Sequence, residues 1–522
     1  MNDQPARPFS RRDFLGTVGA LSVAGLGSTL GASRNAHATT AAVGDIVSMP
    51  AYRLSAAIHL KEVSCREVMT AYLDHIDRVN PKVNAIVARR ERSALLAEAA
   101  EKDAQLASGQ SSGWMHGMPQ APKDLAATKG IVTTFGSPIF RNHIPQADAF
   151  MVERMRRAGA IFIGKTNTPE FGLGSQTYNT VYGPTRNPYD PSKTCGGSSG
   201  GAATSLALRM LPVADGSDFA GSLRNPAAFC NVYGFRPSEG RVPYGPTGEV
   251  FVQQLGYEGA MGRTVKDIAM LLSVQSGYDA RAPLSLKEDP QTFIAPLEAD
   301  HKGRRIAWLG DWNGYLAMEP GILDLCGSGL ATLRSIGCEV DETRVPFSPE
   351  RLWRTFLVHR HFLAGGGLAA FEADPAKRAL LKPEARWEVE GMRKLSAADI
   401  YSASADRSAW YQTVLAVFER YDAIAVPTAQ VFPFDVDTHW PTHIAGRPMD
   451  TYHRWMEVAL PWTLSGCPVV NVPVGFNQAG LPMGMQLIGR PTGDLDVLRL
   501  AHAYEAARDP AGTRLPRLIA AT

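Results

Sequence analysis

Between Ser64 and Asn80 the chain alternates like a helix: Val68, Tyr72, His75, Ile76 and Val79 recur at three- and four-residue spacing. Ser64-Cys65-Arg66-Glu67 supplies a capping box at its start, and Asn80-Pro81 stops it. The pattern then changes period. NAIVA at Asn84–Ala88 reads as a strand, the alanine-rich run Glu91–Ala107 as a helix ended by Ser108-Gly109, Asp148–Ala158 as a helix and Ala160–Ile163 as a strand. Further along, Ile306–Leu309 is strand-like, Pro320–Ile336 helical, and Ala423–Pro427 and Val469–Val474 strand-like. Apolar strands alternating with amphipathic helices predict an α/β layered fold with a largely buried sheet. Residues 351–462 differ, being rich in aromatics and helix formers, and predict a helical cap over a site.

Charge narrows the partners. Setting aside the four arginines and two aspartates of residues 1–38 from the 53 basic and 51 acidic residues leaves 49 of each. A neutral body offers no electrostatic footprint for nucleic acid or an anionic membrane. The N-terminus has its own pattern: SRRDFL at Ser10–Leu15, a glycine-dotted apolar stretch from Phe14 to Leu30, and AHA at Ala36–Ala38. The twin arginines, short apolar run and small-x-small site predict a Tat signal peptide, residues 1–38, cleaved after Ala38. The mature protein, 39–522, would then be periplasmic or secreted, with no stable membrane association. The alternative is a basic tail followed by an apolar helix. The six cysteines form no CxxC pair or Cys/His cluster, so they read as small apolar fillers and predict no metal.

Two motifs match in letters and fail in context. GAIFIGKT at Gly159–Thr166 fits the P-loop pattern, but a helix precedes it, its inner residues are themselves a strand, and Asn167-Thr168-Pro169 follows where a helix is required. GSSGG at Gly197–Gly201 fits a nucleophile elbow centred on Ser199, but the proline-rich RNPYDPSKTC precedes it instead of an apolar strand. Neither His453 nor His502 sits in a recognisable loop context for such a triad. His116, His359 and His361 read as hydrogen-bonded or surface histidines. Without a histidine, the next candidate base is a lysine, which can deprotonate a serine when burial or nearby positive charge lowers its pKa. Lys123, following two prolines in an otherwise uncharged run with Asp124 beside it, is the best placed.

At this point the chain resembles the amidase signature family. HGMPQAPKD around Lys123, DAFMVERMRRAGAIFIGKTNTPEFGLG at Asp148–Gly174, YGPTRNPYDPSKTCGGSSGGAA at Tyr182–Ala203, DGSDFAGSLRNPA at Asp215–Ala227 and GCPVVNVPVGFNQAGLPMGMQLIG at Gly466–Gly489 match its segments in order. The resemblance implies a large mixed β-sheet covered by helices on both faces. The catalytic core would span about 60–300 and 460–500, with the aromatic-rich cap at about 351–462. It implies a Ser-cisSer-Lys triad. Ser222 would attack, Ser198, after a cis peptide from Gly197, would bridge, and Lys123 would be the base. Backbone N–H groups of Phe219, Ala220, Gly221 and Ser222 would form an oxyanion hole, and Ser199 would support the network. Asp218 and Arg224 flank the nucleophile and read as an ion pair holding the loop. Ala220 departs from the family's usual glycine and predicts a narrowed site with altered substrate preference.

The activity expected from the resemblance is that of an exported serine amidase without cofactor or metal. It would cleave an aryl or bulky hydrophobic amide, because cap aromatics would line the pocket. Ester or carbamate hydrolysis by the same triad is the alternative. The other readings are a tRNA-dependent amidotransferase subunit or a non-catalytic scaffold. Monomer and homodimer stay equally open.

Overall fold

The structure, a computed structural model, describes residues 43–508 and 514–520. The twin-arginine motif and the Ala36–Ala38 site lie outside the described residues.

Eight strands form the central sheet: β1 (Ala214–Asp218), β2 (Tyr233–Arg236), β3 (Tyr257–Gly262), β4 (Arg305–Trp308), β5 (Glu339–Glu342), β6 (Ala423–Pro427), β7 (Val469–Phe476) and β8 (Pro482–Ile488). Their order is β1-β3-β2-β7-β8-β6-β4-β5. Pairings from β1 to β6 along this order are antiparallel, and β6/β4 and β4/β5 are parallel. The sheet is therefore mixed, and it is covered on both faces. Ala260 and Met261 are neighbours on β3, yet they pack into different apolar clusters. Met261 shares a cluster with Leu73 and Ile76 of the N-terminal helices and with Leu206, while Ala260 joins Phe235, Ile268 and Leu498. Opposite directions for adjacent side chains are what a pleated strand imposes.

The helix that begins at the capping box is α1 (Cys65–Val79), and Ser64 and Glu67 make both reciprocal hydrogen bonds. The alanine-rich helix is α2 (Arg92–Ala107) and the next is α3 (Phe150–Arg157). The strand-like pieces 84–88 and 160–163 shrink to two-residue ladders, Ile86–Val87 against Lys165–Thr166 and Ile161–Phe162 against Pro119–Gln120. Lys123 is attached to this minor ladder by a parallel bridge to Thr166.

The sheet positions the site through β1, whose C-terminal end feeds the loop 219–223. Helix α4 (Gly200–Ala207) starts beside that loop at Ser199, and the short helix α5 (Arg224–Phe229) follows it. Close approach fixes this corner. A Cβ on Gly234 of β2 would stand 2.1 Å from the Leu223 carbonyl oxygen, so only glycine lets the strand pass beneath the loop.

Residues 351–462 are not one layer, a correction to the cap expected from composition. Helices α6 (Pro349–Arg360), α7 (Gly366–Ala373), α8 (Pro383–Arg393) and α9 (Ala397–Phe418) do form a helical layer. Then β6 enters the central sheet with every residue buried. Its run Ala-Ile-Ala-Val is apolar on both faces, which suits an interior strand and no cap. Most aromatics of this stretch are core: Trp353, Phe356, Trp410, Phe418, Phe432 and Trp455 are all buried in one cluster.

Candidate active site

Lys123, Ser198, Ser199 and Ser222 come together although their segments are far apart in the chain. The Lys123 amine lies 2.7 Å from Ser198 Oγ, 2.9 Å from Ser199 Oγ and 3.1 Å from Ser217 Oγ. Its backbone N–H donates to Asp215 Oδ2 at 2.9 Å, which fixes the direction of the side chain. Lys123 is 1% exposed. Burial lowers its pKa to about 7, although the carboxylates of Asp218, Asp215 and Glu258 pull it upward.

Small residues make this packing possible. The Gly197–Ser198 peptide is cis, as the resemblance implied. Ser175 Oγ donates to the Gly197 carbonyl at 2.7 Å. A Cβ on Gly216 would fall 2.7 Å from Ser199 Oγ, so glycine in β1 is what admits Ser199 to the lysine. Ser217, which sequence reasoning left unremarked, lies one residue on and completes the hydroxyl cage.

The Ser222 loop is organised by one carboxylate. Asp218 accepts from Gly221 N–H at 2.8 Å, from Leu223 N–H at 3.0 Å, and from Arg224 Nε and Nη2 at 2.9 and 3.0 Å. Arg236 stands 3.6 Å away, and all three charged side chains are fully buried. Burial would raise the Asp218 pKa, but the two guanidiniums overcome it and hold the carboxyl well below its usual range. Arg224 directs its remaining donors to the Ala459 carbonyl, Gln486 and Thr463, tying the loop to the region before β7 and to β8.

This arrangement corrects two expectations. The Gly221 N–H is committed to Asp218, so the candidate oxyanion donors are the N–H groups of Phe219, Ala220 and Ser222. Ala220 does not narrow the site: its methyl belongs to the apolar core and is not among the cavity's lining residues. The loop's positive φ, +112°, falls on Gly221 and not on Ala220, so alanine is tolerated there without backbone strain.

Ser198 and Ser222, the latter 6% exposed, open onto a cavity of about 390 Å³. Its apolar walls are Leu125, Phe135, Phe140, Phe171, Leu368 and Phe371. Phe171 and Phe371 stack with centroids 5.7 Å apart, and Phe140 meets both edge-on. Of these four rings, Phe371 alone comes from the stretch 351–462. The other three phenylalanines lie N-terminal to Ser198, where sequence reasoning assigns no pocket. The signal is weak: Phe135 and Phe140 are separated by a short turn, and nothing in their spacing distinguishes lining from core.

Among the described residues no histidine lines this cavity. His453 is buried with Nε2 3.1 Å from Glu388 Oε1, and His116 Nε2 lies 3.0 Å from the Lys102 carbonyl. The lysine of the P-loop-like motif, Lys165, is fully buried with its amine on the Ala126 carbonyl and Thr128 Oγ1, a structural role. Among the described residues no cluster of three or more His, Cys, Asp or Glu could hold a metal ion, all six cysteines are buried and unpaired, and no helix is long and apolar enough to cross a membrane.

A buried amine, an adjacent pair of serine hydroxyls and a third serine just before a helix are groups that can support acyl transfer. Residues 67–498 match the profile of the family described as Amidase, and the chain belongs to that family. It is similar to an acylamidase of Rhodococcus erythropolis, 33% identical over 88% of this chain and 95% of that one. It is also similar to a glutamyl-tRNA(Gln) amidotransferase subunit of Moorella thermoacetica, 32% identical over 89% of this chain and 98% of that one. Among solved structures, a bacterial aryl acylamidase of the amidase signature family superposes with a TM-score of 0.83 at 29% identity, over 90% of this chain and 98% of that one. The protein is an amidase hydrolase with the amidase signature fold.

Arg224→Met removes one partner from a fully buried ion pair and strands the Asp218 carboxylate. Urea unfolding of this variant should show a loss of about 3–5 kcal/mol.

Proposed function

We propose that this amidase cleaves hydrophobic carboxylic amides through an acyl-enzyme, with Ser222 as nucleophile, Ser198 as bridging serine and Lys123 as base. The observation that carries the reading is the dry Lys123 amine 2.7 Å from Ser198 Oγ, in a site whose cavity also exposes Ser222. A serine hydroxyl attacks only when its proton has somewhere to go. Ser222 Oγ forms a bond to the amide carbon while its proton moves to Ser198 Oγ, whose own proton moves to Lys123 Nζ. The carbonyl oxygen takes the electron pair as an oxyanion facing the N–H groups of Phe219, Ala220 and Ser222. Collapse breaks the C–N bond, and Ser198 donates its proton to the departing amine and recovers one from Lys123. Water then repeats the sequence on the acyl-enzyme, releasing the acid. Ser199 and Ser217 hold the amine in line, and the Asp218–Arg224 pair holds the loop.

The aromatic walls support an aryl or bulky apolar substrate, as does the similarity to an aryl acylamidase. Ester and carbamate substrates fit the same acyl-enzyme logic. The amidotransferase reading draws on the Moorella relative, while the balance of 49 basic against 49 acidic residues in 39–522 gives it no nucleic-acid footprint. We also propose export by the twin-arginine route, on the strength of Arg11-Arg12 and Ala36–Ala38.

Ser222→Ala should remain folded and lose at least about 10³-fold in kcat, with a fluorophosphonate label on Ser222 alone in the parent enzyme. A label on Ser199 would overturn the assignment. Lys123 must be neutral to accept a proton, and its pKa is about 7. The rate should therefore rise with pH up to about that value and level off above it. A pH profile that falls through this range contradicts the lysine base. Against a panel of amides, kcat/KM for an anilide should exceed that for acetamide by about tenfold or more, since each buried methylene or ring edge contributes about 1 kcal/mol. Hydrolysis by the purified chain alone also separates an amidase from an amidotransferase subunit. N-terminal sequencing of exported protein should begin at Thr39, and retention of residues 1–38 refutes the cleavage.

A further inference from the structure

Two charged side chains reach the catalytic cavity, Asp218 and Arg360. Asp218 is fully engaged by the nucleophile loop. Arg360 is not. It closes α6 and its guanidinium lies 4.5 Å from the centroid of the Phe219 ring, next to the N–H proposed to face the oxyanion. It is 5% exposed.

The guanidinium is clamped from behind. Nε donates to Glu388 Oε1 at 3.0 Å and Nη2 to the Tyr452 hydroxyl at 3.3 Å. Tyr452 in turn donates to Glu388, and His361 Nδ1 and His453 Nε2 stand 2.8 and 3.1 Å from the two oxygens of the same carboxylate. These partners leave the side chain one orientation. Nη1 makes no hydrogen bond with any described residue, and it is not enclosed among the buried unpartnered atoms. The side chain carrying this donor lines a cavity whose phenylalanine and leucine walls are interrupted, besides the serines, by Tyr244 and Gln253.

We propose that Arg360 is a specificity-determining residue that donates from Nη1 to a neutral oxygen acceptor on the substrate, such as a keto, ether or second amide oxygen. This rests on the reading of the cavity as the amide-cleaving site. Neutrality follows from the charge balance behind the guanidinium: two of its five N–H donors are spent on Glu388 and Tyr452, and both hydrogens of Nη1 remain. The arginine's charge is also balanced by Glu388 at 3.0 Å, so the donor supplies direction more than net attraction. The favoured substrate is an apolar amide with one oxygen placed to meet Nη1. An all-hydrocarbon analogue leaves that donor dry and unpaired, which is how a buried polar group rejects a wrong substrate.

The test is an oxygen scan. Anilides with a straight acyl chain are compared with analogues carrying one ether or keto oxygen at successive positions, on the acyl side and on the amine side, with an ω-carboxylate as the anionic arm. At one position the neutral oxygen should raise kcat/KM by about tenfold over the methylene parent, and the carboxylate should give no such gain. Arg360→Lys keeps the charge toward Glu388 and removes the Nη1 donor. It should erase that gain, bringing the oxygen analogue and the methylene parent within about threefold of each other. If no position in either series shows a gain, or if the carboxylate wins, the assignment is overturned while the amidase reading stands. An equal loss on both substrates in Arg360→Lys assigns the arginine to packing alone and overturns it too. Absence of all amide hydrolysis by the wild-type enzyme overturns both readings. Should Arg360→Lys fail to fold, the scan on the wild-type enzyme decides by itself.

Discussion

Asp218 has no access to water, and the rest of the site is arranged around keeping it charged. A carboxylate in that position is tolerable only when donors surround it. Two backbone N–H groups and two arginines do so, and each donor belongs to a different structural obligation. Gly221 and Leu223 bend the loop on either side of Ser222. Arg224 starts the helix that follows and reaches out to Ala459, Thr463 and Gln486. Arg236 lies on β2 and donates to the Asp218 carbonyl at 2.5 Å. The Ser222 loop is therefore welded to β2, to β8 and to the segment before β7 by one ion cluster.

Lys123 is the converse case. It is a cation site without an ion-pair partner. Burial opposes its charge, and among the described residues its amine meets no carboxylate but three serine hydroxyls and, at 3.3 Å, the Ser217 carbonyl. Hydroxyl groups accept from an ammonium and donate to a neutral amine, so they serve both protonation states. That is the condition for a base that works near neutral pH. Lys165, close by in the minor ladder and equally buried, shows the difference a position makes. Its amine is held on a carbonyl and a hydroxyl away from the cavity, so its own lowered pKa, about 8, has no substrate to act on.

The legible parts of the fold are those whose signal is local. The capping box at Ser64–Glu67 and the apolar runs at 423–427 and 469–474 lie where the pattern puts them, the latter strand running on to Phe476, because caps and buried strands are set by a handful of adjacent residues. Strand β1, with the sequence ADGSD, has no strand propensity at all. It is a strand because Tyr257–Gly262 pairs with it and because Gly216 must clear Ser199. The extent of the cap is illegible for a related reason: aromatic content does not tell a wall from a core, and only packing places Trp410 inside and Phe371 at the cavity.

By itself the sequence determined the cast: a lysine in an uncharged run, serines among glycines, Asp218 and Arg224 around Ser222, and a family resemblance that put them in order. Composition and short motifs carry this because residue type and near-neighbour spacing are properties of the chain. Tertiary structure alone decided which groups are dry, which are paired and which face the cavity. It committed the Gly221 N–H to Asp218, turned the Ala220 methyl into the core, brought Phe135, Phe140 and Phe171 to the site, and set Arg360 at the cavity with Nε and Nη2 engaged. Hydrogen bonds are consumed and side chains are desolvated only when distant segments meet, so no local pattern records the result.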